Sequence, residues 1–593
     1  MTTIGQISHP NKTIDRKAKA FFDYFHYFMS TNEFIILEEQ AEENHLSILE
    51  KIDFRLQNLK IEESSKKIIG YLKDHPLLDT KCDFISRKGN YKEQVTNLKT
   101  HLQKDLTDNQ NVELAKKSVE SAVIALNEGY DYQHSKYLDF CLDEVISYIS
   151  CEHELEEHLG YIKYYTKLIV AEFLRRNFNP RELTGVNSIF NKILSKEINL
   201  SDDGQNIYSL FPLPTEFDPN KETPDKYEAN VREFLKNRTF KEQFKGILNY
   251  LNNVNRKTLF IVKILNTGST SLNISYGKTR IVSKEHLNVN TDNWENDDKE
   301  HFEEFVTTPN CLFFEKELVY KSLNDAAIQI MREAEDTLSY LSYPNSLKGT
   351  INRSEFLYLS NDKLGWNWIR DKLDVKQNKQ YWLDVVSSNY VSFTEVFELD
   401  KLYYRVFTSV KAEDKIFNAW RYIEILFNGK KYNDKIRIRD FTRLLLSTER
   451  AFHDESMGNL IVNLIINNHQ VVNCKIPKNK LHEVLQDKES RISTLKKNVD
   501  YKFICDLIDN YENPVIDYDE KLSYYKYLTN TIYEQRNYVV HQATICTISL
   551  EILIQQIQIV LRRVRNELVN AVQNNNDLCL TEIVENLLDD TEP

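Results

Sequence analysis

The sequence predicts a mainly α-helical, multi-domain protein with a mixed α/β region in its middle. Three observations carry this. At 593 residues the chain is too long for one hydrophobic core, and about three or four domains is the natural expectation. Only 14 glycines and 12 prolines are present, so chain breakers are scarce, while Leu, Ile, Lys, Glu and Asn abound. Apolar residues recur at three- and four-residue intervals over long stretches and give way to strand-like alternation near the middle.

Residues 1–200 read as an all-helical domain. Ala18–Met29 is aromatic-rich, and Ser64–Leu72, Glu113–Asn127, Ser135–Ile149 and Tyr161–Arg176 each carry the helical period. The polar stretch 201–229, rich in Pro and Asp, reads as a linker or surface loop. After a helix around Tyr227–Asn252, the run Leu259–Val282 is β-branched, alternating and broken by turn residues, a strand–turn–strand signal. Further β-like pieces near Cys311–Phe314 and Glu355–Leu359, with a helix over Tyr320–Leu341, make 230–400 a mixed α/β region. Residues 401–593 are helical again. Val410–Phe427 sets Ile416, Ala419, Trp420, Ile423 and Phe427 on one face, and Phe441–Phe452, Leu481–Lys496, Leu522–Tyr533 and Ala543–Val572 follow. The apolar run LIVNLIINN interrupts this series, and the acidic end, Glu582–Pro593, is expected to fray.

Hydrophobic residues at 41% and charged residues at 28% describe a globular chain rather than a disordered one. A net charge of −13 argues against coating nucleic acid indiscriminately, though one local basic groove suffices to grip a few phosphates. Eight scattered cysteines without a CxxC pair point to buried thiols in a reducing cytoplasm. No apolar leader and no run of 18 apolar residues is visible, so a cytoplasmic protein without a membrane span is expected.

The stretch TIYEQRNYVVHQATIC carries the chemistry. It places Arg536 four intervening residues before His541, with Asn537 directly after the arginine, and is expected to lie at the junction of two apolar helices. Imidazole titrates near neutrality, so it can take a proton from a ribose 2′-hydroxyl or give one to a leaving 5′-oxygen. Guanidinium stays charged and forks onto phosphate oxygens as their charge grows. No metal or other cofactor is needed, because the attacking hydroxyl belongs to the substrate.

This RN-x-x-x-H arrangement, with Tyr533 before it and a long apolar helix after it, resembles the HEPN superfamily, whose members carry R-x(4–6)-H, often with Asn after the Arg. The resemblance covers roughly Leu402–Val572. It is supported by FNAWRYIEILF, which puts Glu424 inside an apolar helix, where many members have an acidic residue. The resemblance implies a C-terminal HEPN-like helical bundle in which Arg536 and His541 are the catalytic pair and Asn537 orients them. Glu424 would position Arg536. It further implies a metal-independent endoribonuclease acting on RNA as a homodimer, two motifs facing one cleft. An anti-phage abortive-infection or toxin role follows, with the first 400 residues answering a phage-derived or cellular trigger.

Two basic clusters are candidate RNA contacts: Lys430, Lys431, Lys435, Arg437, Arg439 and Arg443, and then Arg562, Arg563 and Arg565. The apolar stripe of Ile545–Val564 is core, or core plus a dimer face. Three other patterns carry no chemistry. Arg280–His286 repeats the spacing without the Asn or the helices, His153 and His158 are five apart where a zinc helix needs four, and Thr267–Ser271 lacks the following carboxylate pair of a nucleotidyltransferase. No GxxxxGK[ST] and no GxSxG occurs. The competing readings are a non-catalytic HEPN-fold scaffold for protein or nucleotide binding, and a helical adaptor with a chance motif.

Overall fold

The computed structural model describes residues 12–126, 136–175, 223–236, 256–338, 349–368, 389–542 and 550–589, with shorter gaps inside these spans, and the two-residue strands at 199–200 and 207–208. The protein is mainly helical with an antiparallel sheet in its middle region. Among the described residues no helix is long and apolar enough to cross a membrane.

The first helices are α1 (Lys12–Phe28), α2 (Glu33–Leu37), α3 (His45–Asn58), α4 (Glu63–Lys73), α5 (Gly89–Leu102), α6 (Asn109–Leu126), α7 (Lys136–Ser150) and α8 (Leu155–Arg175). The aromatic run lies on α1, which buries Phe21, Phe25 and Phe28. Asn32 caps α2, its side chain accepting from the Phe34 backbone N–H at 2.8 Å. His153 lies before α8 and His158 within it, and among the described residues no group of three or more His, Cys, Asp or Glu could hold a metal ion.

In the middle, β1 (Asn199–Leu200) pairs with β2 (Ile207–Tyr208), and α9 (Pro224–Lys236) follows. The expected helix to Asn252 is thus seen to Lys236, and most of 201–229 lies outside the described residues. Strands β3 (Arg256–Leu265), β4 (Asn273–Tyr276), β5 (Thr279–Val282), β6 (Cys311–Tyr320), β7 (Thr350–Ser360) and β8 (Lys363–Trp368) form one antiparallel sheet in the order β4-β5-β6-β3-β7-β8. Alternation along β3 sends Phe260, Val262 and Ile264 to one face, where helical Ala327, Ile330 and Met331 cover them. It sends Ile261 to the other, beneath Phe302 and Phe305 of α10 (Asn296–Val306). Arg280, the chance match, is tied into this sheet by an ion pair with Glu315.

The chain becomes helical again in α11 (Phe393–Thr408), α12 (Ala412–Leu426), α13 (Asp434–Ser447), α14 (Glu449–Asn467), α15 (His469–Val472), α16 (Lys488–Asn498) and α17 (Lys502–Glu512). Three more follow: α18 (Tyr518–Gln542), α19 (Leu550–Asn574) and α20 (Leu580–Asp589). The apolar run LIVNLIINN does not interrupt the helices; it is the second half of α14, apolar because it is buried on most sides.

One expectation changes. Two compact units exist, but the first joins residues up to Arg175 with those from Lys376 onward, and the second spans Arg176–Val375. The segments 1–200 and 401–593 therefore do not form separate domains. Tyr71 of α4 stacks on Tyr527 of α18 at 4.4 Å, the Tyr501 hydroxyl donates to Asp23 at 2.8 Å, and Lys521 lies 2.6 Å from Glu38. Helical periodicity reveals which face of a helix is buried but not which helix buries it.

These seams titrate. Burial raises Asp23 to about 8, against its hydrogen bond from Tyr501, and burial with neighbouring Glu449 raises Glu38 to about 7. Both folded values lie above the unfolded ones, so the folded state keeps protons the unfolded chain has released, and stability falls as pH rises toward 7–8. His26 opposes this: burial lowers it to about 4, and its contribution grows from there to its unfolded value of 6.5, above which it is complete. Between about pH 6.5 and 8 the carboxyls therefore dominate. Urea midpoints should drop across that window, with the unfolding free energy falling by at most about 1.4 kcal/mol per pH unit per proton. Asp23→Asn should flatten the slope; a midpoint that is level or rises in the parent protein contradicts the assignment.

Candidate active site around Arg536

Asp517 starts α18 by accepting from the backbone N–H groups of Asp519 and Glu520. No Gly or Pro occurs between Tyr518 and Gln542, so nothing breaks the helix at the motif. Arg536, Asn537 and His541 accordingly lie in the last turns of one helix, not at a junction of two, and the next helix opens at Leu550. Five residues on an α-helix place His541 about 140° around the axis from Arg536 and about 7.5 Å along it. The backbone alone does not put the two on one stripe. The side chain of His541 lies outside what the structure describes.

The second half of α18 buries most of its polar residues. Thr529, Asn530, Thr531, Glu534, Gln535 and Asn537 are all buried. The first three turn back onto the helix, donating to carbonyls four residues earlier at 2.8, 2.6 and 2.9 Å. Glu534 faces the N-terminal helices. Its Oε1 accepts from Ser65 of α4 at 2.6 Å, its Oε2 lies 3.1 Å from Arg55 of α3, and Tyr538, one turn on, meets Phe54 edge to face. Arg55–Glu534 is an ion pair without hydrogen-bond geometry at Oε2, because that oxygen finds no aligned donor.

Arg536 occupies the opposite side, with 23% of its side chain exposed. Its Nη1 donates to Asn537 Oδ1 at 2.9 Å, and its Nη2 lies 3.7 Å from Glu424 Oε1, an ion-pair distance rather than a direct hydrogen bond. The Nε is shielded from water and has no acceptor among the described residues. Glu424 comes from α12, where two residues fix it. Trp420 donates its indole N–H to Oε1 at 3.0 Å, and Arg421 donates to Oε2 at 2.8 Å. The Trp420 ring in turn packs on Tyr533, 4.9 Å between centroids, so α12 and α18 are locked beside the motif.

The structure thus brings Arg536, Asn537 and Glu424 together. It also adds Arg421, and Trp420, which the sequence places on the apolar face of Val410–Phe427. The signal was present: an indole four residues and an arginine three residues before a carboxylate are both within helical reach.

The basic clusters fare unevenly. Lys430 and Lys431 lie outside the described residues. On α13, Lys435 and Arg439 are exposed, although Arg439 is paired with Asp440 at 2.7 Å. Arg437 is held by Asp434 at 3.0 Å, and Arg443 reaches the Leu588 carbonyl at 3.3 Å. The cluster on α19 is not an RNA face. Arg563 is buried against Glu449 and Tyr525, Arg562 pairs with Glu33, and Arg565 pairs with Asp400 at 2.8 Å. A run of like charges on a helix with buried faces marks internal ion pairs as readily as a solvated surface. Comparison with protein-family models, with curated proteins and with solved structures finds no match to this chain.

Proposed function

We propose that the protein is a metal-independent endoribonuclease of HEPN type, with Arg536 and His541 as its catalytic pair. The observation that supports this most is the state of Arg536: a part-exposed guanidinium, steered by Asn537 and Glu424, on the stretch of α18 where Thr529, Asn530, Thr531, Glu534, Gln535 and Asn537 are buried. In the proposed reaction the ribose 2′-oxygen attacks phosphorus and the bond from phosphorus to the 5′-oxygen breaks. The 2′-proton leaves to a base, a proton reaches the departing 5′-oxygen, and the products are a 2′,3′-cyclic phosphate and a 5′-hydroxyl. His541 serves in these proton transfers and Arg536 neutralises the charge on the phosphoryl oxygens. The position of His541 round the helix from Arg536 agrees with a site completed by a second copy, as the HEPN resemblance implies, and an abortive-infection or toxin role goes with that reading.

Total RNA incubated with the purified protein in EDTA should be cut to fragments ending in cyclic phosphate. Arg536→Ala and His541→Ala should each lower the rate by about 100-fold or more. A second reading, a non-catalytic HEPN-fold scaffold, is favoured by the contacts Arg536 already makes to Asn537 and Glu424. It predicts that Arg536→Ala lowers the melting temperature while neither variant changes any RNA cleavage. Cleavage at equal rates by parent and His541→Ala would end the nuclease assignment.

A further inference from the structure

We infer that the exposed edge of α12, Phe417 and Arg421, is the track that holds single-stranded RNA beside Arg536: a cation for the neighbouring phosphate and an aromatic face for a base. The inference rests on reading Arg536 as a phosphate contact.

The two arginines share one carboxylate. Glu424 Oε2 takes Arg421 at 2.8 Å, and Oε1 faces Arg536 at 3.7 Å, so the guanidiniums are held on either side of Glu424. Two positive charges and one negative leave this patch a net cation. Trp420 anchors the carboxylate from beneath, so Glu424 cannot swing away with either arginine. Arg421 has 48% of its side chain exposed, twice the share of Arg536, and its Nη2 and Nε remain to meet an anion.

Phe417 lies one turn before Arg421 on the same face of α12 and is 38% exposed, whereas Ile416, Trp420, Tyr422, Ile423 and Leu426 of the same helix are buried. An exposed aromatic one turn from an exposed arginine is the pairing by which proteins hold unpaired nucleotides, since every base has a stacking face and every linkage a charge. The partner is a single strand and not a duplex, because stacked bases inside a helix have no free face to offer. The acidic first turn of α12, Glu413 and Asp414, ends the track just beyond Phe417. One nucleotide next to the scissile phosphate is therefore held, and longer contacts on this side are repelled.

Binding of a fluorescein-labelled single-stranded RNA can be followed by anisotropy over a range of salt, using full-length His541→Ala protein so that the strand stays intact. Arg421→Ala in that background should weaken binding about tenfold and reduce the salt slope by about 0.7, the value for one lost phosphate contact on a single strand. Arg421→Lys should keep the slope. Phe417→Ala should weaken binding about 5- to 100-fold with the slope unchanged. Glu424→Gln, which removes the shared negative charge, should tighten binding at low salt. If Arg536→Ala abolishes binding while Arg421→Ala and Phe417→Ala stay within twofold of the parent, the track is wrong and the nuclease reading stands. If Arg536→Ala also binds as the parent does, the site itself is wrong. Circular dichroism melts confirm that each variant is folded.

Discussion

Arg563→Ala should lower the stability of the helical unit by about 3–5 kcal/mol, the cost of stripping one partner from a buried ionic network. Arg563 is fully enclosed where α13, α14, α18 and α19 meet. Its Nη1 donates to the Tyr525 hydroxyl at 2.6 Å, and its Nη2 reaches the Leu445 carbonyl at 2.8 Å, Thr448 Oγ1 at 2.9 Å and Glu449 Oε2 at 3.0 Å. The guanidinium plane also covers the Phe452 ring at 4.3 Å. The residue therefore caps the end of α13, neutralises a buried carboxylate and fills volume at once. Alanine leaves Glu449 charged in the interior with a cavity beside it, and Arg563→Lys, a point charge without the fork, should fall between the two. Urea denaturation at fixed pH reads the loss as a lower midpoint. The double variant Arg563→Met with Glu449→Gln should recover part of it, since removing both charges removes the unpaired one. A midpoint for Arg563→Ala within experimental scatter of the parent would mean that the network contributes nothing.

Expressed alone, residues 401–593 should fail to fold, although the sequence presents them as a self-contained helical domain. In the whole chain α18 is walled in by α3 and α4 through Arg55, Ser65, Phe54 and Tyr71. Exposing a buried aromatic costs about 1.5–3 kcal/mol, and leaving Glu534 without its cation adds about 3–5 kcal/mol. A domain of this size has only about 5–15 kcal/mol in hand. The fragment is expected to keep helical circular dichroism, lose its near-ultraviolet signal and bind a hydrophobic dye. Co-expressed with residues 1–175, a fragment starting at 376 should co-purify with it and recover a cooperative melt. A sharp melt from 401–593 by itself would refute the shared core.

The contrast between these expectations and the sequence shows what residue patterns can report. Helices α6, α7 and α12 were legible to within a few residues and α8 over most of its length, because each has one apolar face of helical period. Strands β3 to β7 were legible in part, since Leu259–Val282 alternates between turn residues and Cys311–Phe314 and Glu355–Leu359 are β-like, whereas β1, β2 and β8 were not. Three further things were not. The partnership of the two helical segments was hidden because burial is a property of a face, and the face does not name its neighbour. The true length of α18 was hidden because Thr529, Asn530, Glu534 and Gln535 read as solvent-facing, while their hydrogen bonds to carbonyls and to Ser65 let them enter the core. The α19 arginines were misread for the same reason: Arg563 and Arg565 find Glu449 and Asp400, more than a hundred residues away. At the site, Arg536 with Asn537 was visible as a motif, whereas the roles of Trp420 and Arg421 depend on which oxygen of Glu424 each one takes.

The interruption of one helical unit by residues 176–375 has a consequence for how the protein comes into being. A ribosome making this chain releases α3 and α4 long before it has made the helix they enclose, and must first add the whole intervening unit and several further helices. Until then Arg55 and Ser65 have no Glu534 to meet, and no Arg536 has been translated. A chain stopped before α18 therefore carries α3 and α4 without the buried partner of Arg55 and Ser65, and without Arg536.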